Sequence, residues 1–527
     1  MMAATQIMDS DYWDHFEVSN TDLSFINNHL FEIETPQTTQ EILVALVQDR
    51  INREKTASAA KQAQAGKSYL PEASYKKGEG LVFPALNFSS GTVTSVRAGH
   101  NPEVGEFQVM QVKMSTGETR SFAMQLAEHA LNHLEEDTPE SASELIDQII
   151  ESHADSLSQK LEDALATDPD LALVTGAWFP RALFVDINIG QLNLAEAILE
   201  MAEGGPLTTQ SLMEQLELSS GDNTRLIEFS LNLALQEDPR FDEVGPTGEV
   251  LWYLNRLEPQ DVRQTPQWLQ YNELTFNRDL FTPQMLDLET ILDDELCTVC
   301  KPEVKYTKAE IILTYPHWRA GTLPLTSRTM KLFPTALESP RIQFQFVDGD
   351  NKEKFPGWVV RPQKYVSGLS AWFEENGIIP GSLITILKAN ANGEVTIKVE
   401  KRKIKEWLRT VLVGKDGGIV FALLKQQVMT TYDERMATVV PDITALDQSW
   451  KGVNYRQEVV EQMIVKIAQE LTKLNPQGHF HVQELYSAVN VVKRCPPEVV
   501  FNSLLTSPSF NHVGDLYYRI SDQGTQE

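Results

Sequence analysis

The pattern of hydrophobic and polar residues changes period along the chain, and each change marks a predicted segment. Within residues 1–66, the run 41–47 places apolar residues at helical spacing. Between residues 67 and 132, runs with a period of two, such as 107–114, are separated by glycines, which predicts short strands joined by turns. Strict alternation returns at 342–346 and indicates a strand with one buried face. The pattern therefore predicts an α+β protein of several domains.

Two stretches, residues 190–258 and 455–521, share a layout of helices followed by a hairpin. Each contains the spacing Pro-x-Phe-x-x-Val-Gly, at 239–245 and at 508–514, and an apolar, aromatic strand follows in both. The shared spacing at matching places predicts a divergent internal repeat. Both stretches resemble winged helix-turn-helix domains, including the HARE-type version, and this resemblance implies modules that bind DNA or protein.

A small barrel is predicted for residues 67–132. The glycine-punctuated strand candidates at 77–82 and 91–96, with a turn at 115–118, resemble the KOW/Tudor type of small barrel. That resemblance implies binding to nucleic acid, peptides or RNA polymerase. The charged residues of this segment nearly cancel, so it has no nucleic-acid signature of its own.

Residues 303–412 carry a third resemblance, to a DNA-binding fold. A short amphipathic helix with Trp372 and Phe373 is followed by an Asn-Gly turn and a Gly-Ser step into a strand. The stretch 365–384 resembles the core of the plant-type B-three pseudobarrel, a fold shared with the N-terminal effector domain of some restriction endonucleases. Ser382 stands where that family usually has an acidic residue. The resemblance implies a β pseudobarrel that contacts DNA.

The family's DNA contacts come from two loops at one end of the barrel, which map here to residues 315–321 and 360–364. Arg and Lys can donate to guanine edges or phosphates, Gln can pair with adenine, and an aromatic ring can stack on a base. The alternatives are phosphate binding without base contacts, or a structural role in which Trp318 packs in the core. The resemblance implies the following DNA-contacting residues: His317, Trp318, Arg319, Arg361, Gln363 and Lys364.

Charge is distributed unevenly along the chain. The formal net charge is −29, yet residues 301–410 hold 18 Lys/Arg against 11 Asp/Glu. A basic island in an acidic chain is a candidate surface for a polyanion, because phosphate contacts supply most nucleic-acid affinity. A second basic run would position the DNA backbone if it is functional, with a merely solvated face as the alternative. Its members are Lys398, Lys401, Arg402 and Lys403, followed by Lys405.

The predicted fold class is multidomain α+β: a small β-barrel, two winged-helix-like domains and a β pseudobarrel, joined by helical and acidic linkers. The predicted segments are, in order, a helical N-terminal region with linker (1–66), the small barrel (67–132), an acidic helical segment (133–189), a winged-helix-like domain (190–258), a linker (259–302), the pseudobarrel (303–412), a linker (413–454) and a second winged-helix-like domain (455–521).

The sequence lacks the usual signatures of catalysis. It has no complete phosphate-binding Gly-x-x-x-x-Gly-Lys-Ser/Thr loop and no Gly-x-Ser-x-Gly elbow, so we expect no enzyme activity and no cofactor. Cys297 and Cys300 have the spacing of half a zinc site, but a structural site needs two further ligands. We therefore expect two ordinary thiols and no metal. The acidic run 293–295 is expected to be solvated linker charge.

Three cysteines are too few for a disulfide framework, and the N-terminus lacks a signal-peptide pattern, so a cytoplasmic location is expected. No apolar run is long enough for a membrane span, and no membrane partner is expected. We predict a DNA-binding protein associated with transcription or the nucleoid, which contacts duplex DNA through the pseudobarrel. One alternative is a scaffold whose small barrel and winged helices bind protein partners such as RNA polymerase. Another is recognition of modified or foreign DNA.

Overall fold

The computed structural model describes residues 10–65, 67–83, 86, 89–100, 106–132, 139–218, 224–297, 307–336, 339–388, 393–414, 418–450 and 456–521. The chain divides into two compact units, residues 1–185 and 186–527, and each contains helices and sheets. The predicted α+β class is confirmed, with several sheets of which one curls into a half barrel. No helix in the described part of the chain is long and apolar enough to cross a membrane.

The first unit contains a helical core with a three-stranded sheet on it. Its elements are helices α1 (Ser10–Asp14), α2 (Asn20–Ile33), α3 (Thr39–Ala65) and α4 (Pro139–Ala166), and strands β1 (Gln37–Thr38), β7 (Leu171–Val174) and β8 (Ala177–Pro180). The strand order is β1-β8-β7. Trp13, Leu46, Leu161 and Trp178 are almost fully buried in the core that these elements enclose. The helical face at 41–47 predicted from the sequence supplies part of this core.

A five-stranded sheet lies in the chain between α3 and α4. Its strands are β2 (Lys67–Ser68), β3 (Gly80–Phe83), β4 (Ser89–Ala98), β5 (Gln108–Met114) and β6 (Thr119–Met124), in that order across the sheet. Strands occur where the period-two runs predicted them. Tyr69, Phe83, Val93 and Met110 form a hydrophobic core of their own, separate from that of the helices.

Two parts of the second unit have the predicted layout of helices and a hairpin. The first consists of α5 (Ile189–Met201), β9 (Leu207–Thr208), α6 (Thr209–Gln215), α7 (Thr224–Glu237), β10 (Phe241–Glu243) and β11 (Leu251–Leu254). The second consists of α13 (Gln457–Thr472), β21 (His479–His481), α14 (Val482–Val492), α15 (Pro497–Thr506), β22 (Phe510–Gly514) and β23 (Tyr517–Ile520). Their strand orders are β10-β11-β9 and β21-β23-β22.

One topology occurs three times in the described chain. In each copy a short strand precedes a helix, and it pairs antiparallel with the second strand of a later hairpin: β1 with β8, β9 with β11, and β21 with β23. The end of each short strand also caps the helix that follows, because Thr38, Thr208 and His481 each accept a hydrogen bond from a first-turn backbone N–H. We call these copies hairpin units.

The sequence prediction recognised two hairpin units and missed the one in the first unit of the chain. The five-stranded sheet is inserted between its helices α3 and α4, which separates the parts that would be compared. The signal was nevertheless present. Pro-x-Thr-Thr-Gln occurs at 36–40 and at 206–210, and Asp-Pro followed two residues later by Leu or Phe occurs at 168–171 and at 238–241.

A seven-stranded sheet occupies the centre of the second unit. Its elements are β12 (Lys308–Ile312), α10 (Tyr315–Ala320), β13 (Thr322–Pro324), β14 (Arg341–Asp348), β15 (Lys354–Val360), β16 (Tyr365–Ser367), α11 (Ser370–Glu375), β17 (Leu383–Lys388) and β18 (Glu394–Lys398). The strand order is β12-β17-β18-β14-β15-β16-β13. Ile342, Phe344 and Phe346 all face the core, which confirms the predicted buried face of this strand. Residues from both edge strands reach the same core, because the sheet curls around it.

A long two-stranded ribbon follows the sheet. It consists of β19 (Lys401–Val413) and β20 (Ile419–Thr430), with α12 (Ile443–Trp450) after it. Phe421, Leu446 and Trp450 belong to a large core that also includes residues of α9 (Pro283–Leu292) and of the C-terminal hairpin unit. Residues 413–454 and 259–302 were predicted to be linkers. Buried residues in the described parts of both segments contribute to this core, so both segments are structural parts of the second unit. A short helix, α8 (Gln260–Arg263), lies at the start of segment 259–302.

Candidate nucleic-acid interface

The first predicted DNA-contacting loop is a short helix, α10. Thr314 precedes it with extended backbone, Pro316 stands in its first turn, and Gly321 ends it with φ 66°. A Cβ atom at Gly321 would lie 1.9 Å from Ser370 Oγ, so only glycine fits here. This close approach fixes the end of α10 against the start of α11.

His317 and Trp318 point into the protein. The His317 side chain is 1% exposed, with Nδ1 2.9 Å from Thr322 Oγ1 and Nε2 3.1 Å from Glu295 Oε1. Trp318 is half-buried against two hydrophobic cores, and its Nε1 donates to the carbonyl oxygen of Ile378 at 2.7 Å. These contacts are those of the structural alternative, in which Trp318 packs in the core.

Arg319 is paired within the protein. Its Nε and Nη2 donate to the carboxylate of Asp447 at 3.2 and 2.7 Å, and its guanidinium lies 4.2 Å from the centre of the Trp268 ring. Trp268 Nε1 donates to the same carboxylate. The side chain is 30% exposed. Arg319 thus joins α10 to α12, and any contact with DNA would compete with this arrangement.

The second predicted loop, 360–364, is a turn between β15 and β16. Arg361 is half-buried, burial lowers its pKa, and Nη2 donates to the carbonyl oxygen of Pro334 at 2.5 Å. Gln363 and Lys364 are exposed. Lys364 Nζ reaches the backbone carbonyl of Glu295 at 3.2 Å. The structure therefore brings His317 and Lys364 together around Glu295, while Gln363 faces solvent.

A buried charge network surrounds Glu295, and sequence reasoning missed it. Arg494 is fully buried; it donates to the carboxylates of Asp294 and, at 2.7 Å, of Glu295. The Tyr486 hydroxyl donates to Asp294. Burial opposes ionisation of Glu295, but the Arg494 charge outweighs it and keeps the pKa of Glu295 below its usual range. The prediction that 293–295 is solvated linker charge is wrong, because all three acids are at most 8% exposed.

The second basic run lies where the sheet passes into the ribbon. Lys398, at the end of β18, is half-exposed and its stem passes over Gly349. Lys401, Arg402 and Lys403 are exposed at the start of β19. Lys401 Nζ lies 3.2 Å from Asp350. Among the described residues, Arg402 and Lys403 have no acidic side chain within ion-pair distance.

One face of the ribbon combines positive charge with an exposed aromatic ring. Trp407 pairs directly with Lys425, and Lys405 with Gln427, so these four side chains lie on one face. All four are exposed, and Trp407 is 65% exposed. Leu423 continues the face beyond Lys425. We call the set Lys405, Trp407, Leu423, Lys425 and Gln427 the ribbon strip.

Arg409 anchors the ribbon next to this strip. It is 7% exposed, and its guanidinium donates to Thr438 Oγ1, to the carbonyl oxygen of Arg435 and to Ser487 Oγ. Burial lowers the pKa of Arg409 to about 10, against the opposing charges of Glu484 and Asp433. Arg409 lies on the same face of β19 as Lys405 and Trp407 and opposite Leu423, so this face passes from α14 at Arg409 to solvent at Trp407 and Lys405.

The helices that would read DNA in a winged helix carry little positive charge. In the C-terminal hairpin unit, residues 497–504 of α15 are all buried, so this helix has no free face for a groove. In α7, Arg225 is the one basic residue, and Glu228 and Glu237 oppose it. In α4 many acidic residues accompany Lys160. Neither α7 nor α15 therefore combines exposed positive charge with an exposed aromatic ring, as the ribbon strip does.

One group in the described residues could ligate a metal ion: Glu289, Cys297 and Glu498. Cys300, the partner of Cys297 in the predicted half site, lies outside the described residues. The other cysteine in the described chain, Cys495, is buried and is hydrogen-bonded through its backbone to Asn490.

Comparisons of this chain with protein-family models, with curated proteins and with solved structures found no match.

Proposed function

We propose that this protein binds duplex DNA, and that the ribbon strip makes the contact. The observation that carries the proposal is Trp407, a large aromatic ring that is 65% exposed directly opposite Lys425. Trp407 is not isolated, because Leu423 is exposed on the same face, and a grouped apolar surface of this kind favours a binding partner. Its basic neighbours favour a polyanion as that partner.

The ribbon has a suitable shape for this role. Two antiparallel strands about 5 Å apart, with their side chains, fit the major groove, which is about 12 Å wide. Lys405 and Lys425 can then pair with phosphates or guanine edges, and Gln427 with adenine. Arg402 and Lys403, which have no ion-pair partner among the described residues, can contact the backbone beside the groove.

The distribution of charge along the chain restricts the proposed DNA contact to the ribbon. The whole chain carries a net charge of −29, and most of its surface repels DNA. Strands β19 and β20 carry six basic residues against one acidic residue, Glu406. Binding should therefore weaken steeply with salt.

The finer fold assignments belong to the same proposal. We propose that the seven-stranded sheet is the pseudobarrel of the B-three and restriction-effector type, that the five-stranded sheet is a KOW/Tudor-like small barrel, and that the hairpin units are winged helices. What supports the last assignment is the shared pairing of a short strand with the hairpin. A transcription- or nucleoid-associated role fits these assignments.

The proposal is tested by fluorescence anisotropy of the full-length protein with a labelled duplex of about 25 base pairs. We expect binding at ~50 mM salt that weakens at least tenfold at ~200 mM. The change Trp407→Ala should weaken binding about tenfold, because covering a large apolar side chain contributes about 1.5–3 kcal/mol. The double change Lys405→Ala/Lys425→Ala should lower the slope of log affinity against log salt by about 2.

Two matched controls test whether a loss of binding is specific to the ribbon strip. Leu424→Ala removes an exposed apolar side chain on the opposite face of the ribbon, and Lys308→Ala/Lys466→Ala removes two exposed charges elsewhere. Both should bind as the natural chain does. No binding at ~50 mM salt would reject DNA binding. Binding that the strip variants leave unchanged would reject the strip as its site.

A second candidate function, protein docking, is favoured by one helix. Leu194, Ala197 and Met201 form an exposed apolar stripe on α5 with helical spacing, and Met201 is 89% exposed. A partner helix could cover this stripe, as in a scaffold that binds RNA polymerase. The test is affinity capture with purified RNA polymerase after nuclease treatment. Stoichiometric capture that Leu194→Glu/Met201→Glu abolishes supports docking, whereas no capture, or equal capture by the variant, rejects it.

A further inference from the structure

We propose that Glu289, Cys297 and Glu498 form a zinc site inside the second unit. Glu289 comes from α9, Cys297 from the segment after it, and Glu498 from the first turn of α15. One ligand atom from each of the three residues lies within 4.8 Å of the other two. The site is separate from the ribbon strip, and it does not depend on DNA binding.

The Glu498 carboxylate is the observation that points to a ligand. The side chain is 1% exposed, and no described donor meets either carboxylate oxygen with full hydrogen-bond geometry, although the Cys297 thiol and the Glu289 carboxylate lie within reach of it. Buried carboxylates without hydrogen bonds are costly, and in proteins they hold a proton or coordinate a metal. The unpartnered oxygens of Glu498 lie beside the Glu289 carboxylate and the Cys297 thiol, so a cation placed there would satisfy all three groups.

The buried groups around the site carry more negative than positive charge, which favours binding of a divalent cation. Four buried carboxylates meet in this region, whereas two guanidiniums are paired with them: Arg278 with Glu289, and Arg494 with Asp294 and Glu295. His317 Nε2 lies 3.1 Å from Glu295 Oε1. Glu498 has no such counterion among the described residues.

The donor set selects zinc. One thiolate and two carboxylates, with a water as fourth ligand, match the tetrahedral coordination of Zn²⁺. Mg²⁺ and Ca²⁺ prefer all-oxygen ligands, so the sulfur disfavours them. Bond lengths of about 2.0–2.3 Å place tetrahedral ligands about 3.3–3.8 Å apart. The three ligand atoms lie within 4.8 Å of one another, so at most small side-chain movements are needed, and Glu289 can keep its bond to Arg278 through its remaining lone pairs.

The test uses the full-length protein purified from zinc-supplemented medium. We expect about one zinc per chain by elemental analysis, removal by a chelator with a fall in the thermal midpoint, and recovery of both on addition of zinc. Cobalt in place of zinc should give a thiolate-to-cobalt charge-transfer absorption. Cys297→Ser and Glu498→Gln should each weaken zinc binding at least tenfold, and Cys297→Ser should abolish the cobalt absorption.

Cys495→Ala is the matched control, because this buried thiol lies outside the group of three. It should retain zinc and the cobalt absorption. The proposal is overturned if the purified and zinc-treated proteins hold no zinc, or if Cys297→Ser and Glu498→Gln retain it with natural affinity. A zinc-free protein that Glu498→Gln makes more stable would show that Glu498 is a protonated buried acid instead.

Discussion

The ion pairs of several charged residues in this chain are made with residues that lie far away in the sequence. Arg319 is bound by Asp447, and Arg494 by Asp294 and Glu295, each more than a hundred positions away. The sequence shows that these residues are charged, but it gives no sign of the partner. A basic residue next to an aromatic residue, such as Arg319 beside Trp318, therefore has the same local pattern whether it contacts DNA or fixes two helices together.

Asp22 provides a residue-scale prediction of pH dependence. It is fully buried in the first turn of α2 and accepts hydrogen bonds from Ser19, Arg50 and Arg53. Burial raises its pKa, but the bonds from Arg50, Ser19 and Arg53 outweigh burial and lower the pKa from 3.8 to about 2. A lowered folded-state pKa stabilises the fold above about pH 4, and this contribution of about 2 kcal/mol is lost as the pH falls towards 2.

The measurement is the free energy of unfolding of residues 1–185 by urea between pH 2 and 7. Asp22→Asn should cost about 2–4 kcal/mol at pH 7, and its difference from the natural sequence should shrink below pH 4. Glu162→Gln, an exposed acid on α4, is the control and should change little at any pH. A cost of Asp22→Asn that stays constant across this range would contradict the assignment.

At the scale of elements, local periodicity predicted what depends on local sequence. The alternation at Ile342, Phe344 and Phe346 predicted a strand with one buried face, and this face is buried in the half barrel. The hairpin spacing at 239–245 and 508–514 predicted two hairpins that the structure contains. These features depend on contacts between neighbouring strands, for which the side-chain pattern is sufficient.

Two elements depend on distant parts of the chain, and sequence reasoning missed them for that reason. The first hairpin unit is interrupted by the five-stranded sheet, so its short strand β1 pairs with β8 about 140 positions later. The ribbon was divided by a boundary drawn at residue 412. β19 joins basic, apolar and aromatic residues without a clear period, because its faces are buried at one end and exposed at the other. The exposed Trp407 was consequently not identified as a site residue.

At the scale of the whole molecule, the second unit is held together by contacts between segments that the sequence suggested were separate domains. One hydrophobic core contains Met285 from α9, Val411 and Phe421 from the ribbon, and Leu485 from the C-terminal hairpin unit. The Arg494 network crosses the same junction. DNA binding through the ribbon strip would therefore take place on a surface whose position three segments determine together.

This arrangement predicts that the pseudobarrel segment drawn from the sequence will not fold alone. A fragment of residues 303–412 lacks β20, the partner of β19 from Ile404 to Val413, and it lacks Asp447, the partner of Arg319. Leu408 and Val411 would lose the contacts that bury them. Thermal unfolding followed by circular dichroism should show no cooperative transition for 303–412 and a clear one for 186–527, because the second fragment keeps all of these contacts.

A third fragment, 303–450, restores β20 and α12 without the C-terminal hairpin unit, and its midpoint of thermal unfolding should lie well below that of 186–527. Cooperative unfolding of 303–412 at the same midpoint as 186–527 would show that the half barrel is an independent domain, and the ribbon would then be an appendage rather than a part of the shared core.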